Sequence, residues 1–416
     1  MKNIFTYAGS ATGVNHLADG RPCQDRSYAG EVEYAGGNGR AVVLLVSDGH
    51  GSVEHYRSDI GAELAIESAL EALPHILELF DSRMPSDGVT VSRGVAAASM
   101  LSKADDSPVD PLFESTARMF FTRISALWSG KVLGHVADNP LPEPSVQGPA
   151  HPYGCTLIGA AVTDRYWFAF QLGDGAVAGV GVDGRTLTPV PGDSRCRHGR
   201  TTSMSRHGAS DFRYGYSTEL PAALMLCTDG ISDCMPDAQA LTAGIIGPIA
   251  EAMLADGSAA VSREIDAELP EMSRAYGGDD VSVALWMNRS ALPDVIEALR
   301  AQNIAAAFQG YTTAKRELVN TEKSIADIKD SLTANMLVVD DIVDGCWASY
   351  DADADMLREN STLSSLRSRQ RQLLDDLDTI LLSIENFDRT PSDNQSAGDV
   401  QSDTISDCDT ILDIDL

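Results

Sequence analysis

Four strand-length apolar runs in this chain stop at an aspartate beside a glycine, or start just after one. They lie at Val46-Ser47-Asp48-Gly49, Leu172-Gly173-Asp174-Gly175, Cys227-Thr228-Asp229-Gly230 and Gly278-Asp279-Asp280-Val281. One Asp-Gly pair after a strand is ordinary turn chemistry. Four constrain the fold more tightly, because aspartates at strand ends can converge on one rim of a sheet or sandwich. Carboxylates brought together repel, and a divalent cation is the usual relief. No cluster of His or Cys accompanies them, so the donors are hard oxygens, which favour magnesium or manganese over zinc. A glycine after the aspartate lets its backbone carbonyl approach an ion. Two such ions, typically ~3.5–4 Å apart, can bridge and deprotonate a water for in-line attack on phosphorus.

Charge and cysteine usage narrow the classes. The net charge of −30 comes from 61 acidic against 31 basic residues. Such a chain repels phosphate backbones, which argues against nucleic-acid binding. The 7 cysteines are scattered with no CxxC, so a disulfide framework and a structural zinc site are not expected, and a reducing compartment is. The N-terminal MKNIFTYAGSATG has no signal-peptide h-region, and no run of 18 apolar residues is seen. A cytoplasmic protein that avoids membranes is the expectation. There is no GxSxG elbow, and the Gly-x-Gly segments lack a Walker Lys-Ser/Thr.

Strands are expected at 41–46, 156–162, 166–172, 177–182, 222–227 and 281–287, and helices at 58–79, 112–135 and about 237–274. Residues 81–111 read as a loop rich in Ser, Asp, Pro and Gly, and 192–219 as a basic loop. The organisation expected is a catalytic domain over 1–289, a helical, coiled-coil-like extension over 290–388 and an acidic disordered tail over 389–416.

Several motifs occur together and in order: Gln24-Asp25, Val46-Ser47-Asp48-Gly49-His50-Gly51, Tyr153-Gly154-Cys155-Thr156, Leu172-Gly173-Asp174, Cys227-Thr228-Asp229-Gly230-Ile231-Ser232-Asp233 and Gly278-Asp279-Asp280. This combination resembles the metal-dependent protein phosphatases of the type 2C family, in a bacterial branch, over about residues 5–288. The resemblance implies an α+β fold, a four-layer α-β-β-α sandwich of two antiparallel sheets flanked by helices, here with a C-terminal helical extension. It implies a protein serine/threonine phosphatase with two or three manganese or magnesium ions and phosphoprotein substrates. A co-encoded serine/threonine kinase or its target is a candidate partner, and self-association through the C-terminal helices is a further candidate.

Carried over by position, the resemblance makes Asp48 the carboxylate bridging two metals, with Gly49 offering its carbonyl. Asp229 and Asp280 become ligands of the first metal, and Asp25 holds water near the ions. Asp174 and Asp233 match a third, weaker metal position, with turn and helix capping as the alternative. Gln24 stands where the family often has glutamate, so it is a second-metal ligand of weaker kind. The phosphate-binding arginine has no clear counterpart: His16 and Arg21 are the candidates. His50 is either a general acid or a hydrogen-bonding neighbour of the site. The basic residues between 195 and 207 match a flap at the cleft, or form a solvated loop. Gln24 also keeps open a rival reading, a catalytically weak phosphatase-fold sensor or scaffold in kinase signalling.

Overall fold

The run Ala41–Val46 is buried on both faces, and alternation along it explains why. Val42, Leu44 and Val46 enter one apolar core, and Ala41, Val43 and Leu45 enter another. A strand with no polar face must lie between two covered layers. The computed structural model describes residues 3–83, 91–95, 111–143, 145–196, 200–233, 235, 237–275, 278–341, 362, 364–377 and 379–380. The acidic tail expected to be disordered lies outside the described residues.

Two compact units divide at Asn303/Ile304. The first holds strands β1 (Ile4–Ala11), β2 (Arg26–Tyr34), β3 (Gly39–Ser47), β4 (Val91–Val95), β5 (Leu157–Val162), β6 (Trp167–Leu172), β7 (Ala176–Val180), β8 (Thr186–Leu187), β9 (Arg213–Ser217), β10 (Ala223–Cys227) and β11 (Val281–Asn288). Its helices are α1 (Val14–Asp19), α2 (Ser58–Arg83), α3 (Pro111–Asp138), α4 (Asp229–Ser232), α5 (Ala238–Leu241), α6 (Gly247–Ala255), α7 (Ser258–Ala275) and the start of α8 (Leu292–Asp341).

One sheet has five strands in the order β1-β11-β10-β7-β8, and the other six in the order β2-β3-β5-β6-β9-β4. All pairings are antiparallel. Leu224 and Leu226 of β10 and Ala284 and Trp286 of β11 meet Val42, Leu44 and Ile158 between the sheets. Outside one sheet, Phe120, Phe121 and Trp128 of α3 and Leu73 and Leu77 of α2 pack on Phe168 and Phe170. Outside the other, Ile265 and Leu269 of α7 and Leu292 and Val295 of α8 cover Met225 and Leu285. The fold is the α+β, four-layer sandwich.

Two local expectations change. Residues 91–95 within the expected loop form an edge strand, β4, paired with β9. Part of the expected basic loop is that same β9, where Arg213, Tyr214 and Tyr216 are buried. The stretch Ala238–Ala255 has a mean hydropathy of 1.3 over 18 residues, and its Leu241, Ile246, Ala250 and Met253 sit in the core outside β10 and β11.

The first turns of α8 belong to the first unit, which the expected boundary at 289 would exclude. Leu292, Val295, Ile296 and Leu299 are core residues, and Gln302 donates to the Gly184 carbonyl at 2.7 Å. In the second unit, Ala314 and Leu318 of α8 pack against Leu373 and Leu377 of a helical segment over 364–377. Arg369 pairs with Glu317 at 2.7 Å along the same seam.

Candidate active site

The end of β3 is strapped to the loop before β5. The Thr156 N–H donates to the Asp48 carbonyl at 2.8 Å, and the Thr156 hydroxyl accepts from the Asp48 N–H at 3.0 Å. Ser47 Oγ donates to the Thr156 carbonyl at 2.5 Å. Gly49 passes so close to neighbouring backbone that a Cβ there would sit 2.6 Å from the Gln24 carbonyl oxygen and 2.8 Å from that of Ser58. The glycine is therefore required by packing, whatever its carbonyl does.

Asp229 opens α4 directly after β10. Asp174 lies in the turn between β6 and β7, where Gly173 takes a φ of 106° that only glycine adopts cheaply. Gln171 Nε2 donates to the carbonyls of Gly173, Asp174 and Gly175, and Thr201 Oγ1 donates to Asp174 Oδ1 at 2.7 Å. Three different strand ends thus deliver Asp48, Asp174 and Asp229, one carboxylate oxygen from each lying within 4.8 Å of the others.

These side chains stand in a cleft of about 1090 Å³, with Asp279 also on its lining. The acidic crowding has an electrostatic signature. Burial, then Asp229, Asp25, Asp174 and Asp279, raise the Asp48 carboxyl well above its usual range. Burial, then Asp174, Asp279 and Asp233, push Asp229 up to about 7. Asp25 is raised as well, chiefly by burial, although Thr228 Oγ1 donates to its Oδ2 at 2.8 Å. Such a group is stable with protons on it or with a cation in it, and hard oxygen donors suit a divalent one. The residues present therefore fit a metal centre.

The family model for protein phosphatase 2C matches residues 12–269, more than half of the chain. The chain belongs to the protein phosphatase 2C family. That is a family of metal-dependent serine/threonine protein phosphatases, which act on phosphoproteins. No curated protein sequence matches. Among solved structures, the chain is similar to a serine/threonine phosphatase of S. agalactiae (13% identity, 68% of this chain and 99% of that one, TM-score 0.40). It is likewise similar to the phosphatase Stp1 of Staphylococcus aureus (13%, 68% and 94%, TM-score 0.38). A third is the catalytic domain of the phosphatase PstP, solved with two manganese ions (18%, 68% and 97%, TM-score 0.36).

Within this phosphatase 2C cleft, Asp48, Gly49, Asp174 and Asp229 share one lining. Asp25 lies buried behind them and is felt by Asp48. Asp233, at the end of α4, is exposed and close enough to act on Asp174 and Asp229.

The structure places Asp280 beside Asp25 but off the cleft lining. Its Oδ1 accepts from the Gly13 N–H and its Oδ2 from the Gln24 N–H, both at 2.6 Å. It is 3% exposed and holds the N-terminal segment to β11, while the preceding residue, Asp279, reaches the cleft. The motif contains two aspartates in a row, and adjacent residues entering a strand point to opposite sides. The sequence pattern alone does not distinguish the two.

His16 and Arg21 lie next to Gly51 of the lining, with His16 Nε2 at 3.7 Å and Arg21 Nη1 at 3.9 Å from where a Gly51 Cβ would sit. His16 is 4% exposed, and its Nδ1 lies 3.0 Å from Asp280 Oδ1. Arg21 donates to the Gly51 carbonyl at 3.0 Å and to Asp19 at 2.9 Å. Neither is among the residues lining the cleft. His50 does line it, but burial, then His55 and Arg206, push its imidazole down to about 3. A neutral ring favours hydrogen bonding over proton donation. Gln24 is 6% exposed with its Oε1 unpartnered.

Proposed function

We propose that this phosphatase hydrolyses phosphoserine and phosphothreonine by direct attack of water, with no covalent enzyme intermediate. The convergence of Asp48, Asp174 and Asp229 carries the reading. In the proposal these three and Asp279 hold two manganese or magnesium ions, and Asp233 with Asp174 offers a third, weaker position. When bound, the ions neutralise the carboxylates, polarise the phosphoryl group and acidify water.

The chain supplies the frame. The Thr156 strap fixes Asp48. Thr228 bridges Asp25 and β11, donating to Asp25 and accepting from the Ser282 N–H at 3.0 Å. The neutral His50 ring on the wall supplies a hydrogen-bonding group.

The test is turnover of p-nitrophenyl phosphate and a phosphothreonine peptide with manganese, with magnesium and after chelation. Turnover that depends on the metal supports the reading. None at full metal loading leaves the sensor or scaffold that Gln24 suggested.

We place the protein in the cytoplasm; Cys23 and Cys155, which are in no disulfide, support a reducing compartment. The exposed Val319 and Leu374 of the second unit support self-association through its helices, which sedimentation of the full chain would reveal. A co-encoded kinase or its target is the partner we propose, testable by the phosphoproteins that accumulate when the protein is deleted.

A further inference from the structure

The cleft lining carries both charges. Besides the aspartates, it holds Arg195, Arg200, Arg206 and His207, which lie between β8 and β9. These cations are not equivalent. Arg195 is neutralised by Asp193 at 2.8 Å and by Asp211. Arg200 and Arg206 are exposed, and no ion pair to either is found among the described residues.

The turn that carries Arg206 is firmly held. Met204 is 6% exposed in the core beneath α3, and its N–H donates to the Cys155 carbonyl at 2.8 Å. The N–H groups of Arg206 and His207 both donate to the Ser203 carbonyl, at 3.1 and 2.9 Å. His207 Nδ1 accepts from the Ser203 N–H at 2.9 Å. With Nδ1 accepting, the ring carries its proton on Nε2, which is then a donor. A guanidinium and an imidazole N–H on an anchored turn make a site for an oxyanion.

The chain as a whole carries −30 and would repel an acidic substrate. At physiological salt, however, charges are screened beyond about 8 Å, so the lining decides what sits beside the reacting phosphate.

We propose that Arg206, with His207 and Arg200, recognises a second negative group next to the scissile phosphate, so that acidic or multiply phosphorylated segments are the preferred substrates. The proposal rests on the reading that the cleft takes phosphoproteins. The shared chemistry is an oxyanion, from a carboxylate side chain or a second phosphate.

Three fluorescent peptides test it on the full-length, manganese-loaded protein. Each carries a non-hydrolysable phosphonate at one threonine position, flanked by glutamates, by a second phosphonate or by lysines. Dissociation constants are read by anisotropy. The expected result is about tenfold tighter binding of the acidic peptides than of the lysine peptide near physiological salt. Arg206→Glu should abolish or invert that ratio, and Arg206→Lys should keep most of it, with melting curves confirming that both variants fold. Tightening by both acidic arms assigns a general anion site, and by the second phosphonate alone a phosphate site.

The proposal falls if the wild-type ratio is one or less, if the ratio survives Arg206→Glu, or if no peptide binds. Turnover of p-nitrophenyl phosphate by the same preparation reports separately. Its absence would remove the hydrolytic reading and leave the binding preference standing.

Discussion

At the mouth of the cleft, Asp48, Asp174, Asp229 and Asp279 crowd one another, and two of them have carboxyls pushed well up by burial and by their neighbours. At the entrance to β11, Asp280 is 3% exposed, yet both of its oxygens accept backbone N–H groups and His16 stands beside it. The two regions share residue type and differ in satisfaction. Where acceptors are filled by the chain, a carboxylate is a structural tie. Where they crowd each other, folding has left a demand that a cation can meet. The site is therefore read from what its oxygens lack, better than from the motif.

The largest effects should separate the two regions cleanly. Asp48→Asn and Asp229→Asn should lower kcat on p-nitrophenyl phosphate by about 10³-fold or more, because each removes a candidate ion-holding charge. Their metal-free melting temperatures should stay level or rise, since one repelling charge is gone. Wild-type turnover by Asp48→Asn would break the assignment.

Asp280→Asn should show the reverse pattern. Its amide would set N–H against the Gly13 or Gln24 N–H, leaving a buried donor unmatched, at a cost of about 2–4 kcal/mol. Urea unfolding measures this. A variant as stable as wild type but inactive would return Asp280 to the metal site.

How much was legible in the sequence follows the same line. The strands at 41–46, 157–162 and 223–227 could be read because continuous apolar runs bounded by glycine mean a strand covered on both faces. The convergence of Asp48, Asp174 and Asp229 was readable from their common place at strand ends. The choice between Asp279 and Asp280 was not, because the phase of a strand at its first residue depends on what packs behind it. Nor was β9, whose Arg213 is buried by donating to the Pro191 carbonyl at 2.7 Å, a contact that no local pattern encodes. The start of α8 was given to the extension because its helical spacing is continuous, although its first apolar stripe belongs to the phosphatase core.

A smaller effect links the open region to pH. Asp229 has its carboxyl raised from 3.8 to about 7 in the folded, metal-free chain. The folded state then binds more protons than the unfolded one between those values, so stability falls as pH rises through that window. Metal-free melting temperature should drop from pH 4 to pH 7. Manganese should raise it more at pH 7 than at pH 5, because binding displaces those protons. Asp229→Asn should flatten both trends. A metal-free protein whose stability rises over that window would contradict the crowding argument.

Gln24 sits between the two regions and should give the smallest effect. Its backbone N–H serves Asp280, on the filled side. Its Oε1 is buried and unpartnered, and a Cβ on Gly51 would lie 3.7 Å from it, so the amide faces a residue that lines the cleft. Gln24→Glu changes one atom and adds a negative charge where carboxylates already repel. Without metal, the melting temperature should fall by about 3 °C, the equivalent of roughly 1 kcal/mol in a domain of this size. With manganese the loss should be recovered, because a cation that relieves Asp48 and Asp229 relieves a neighbouring glutamate too. Differential melting with and without manganese reads both arms. Recovery places the Gln24 side chain with the open carboxylates. A loss that manganese leaves untouched assigns the whole residue to the filled side, and the boundary between the two regions then runs through Gly51.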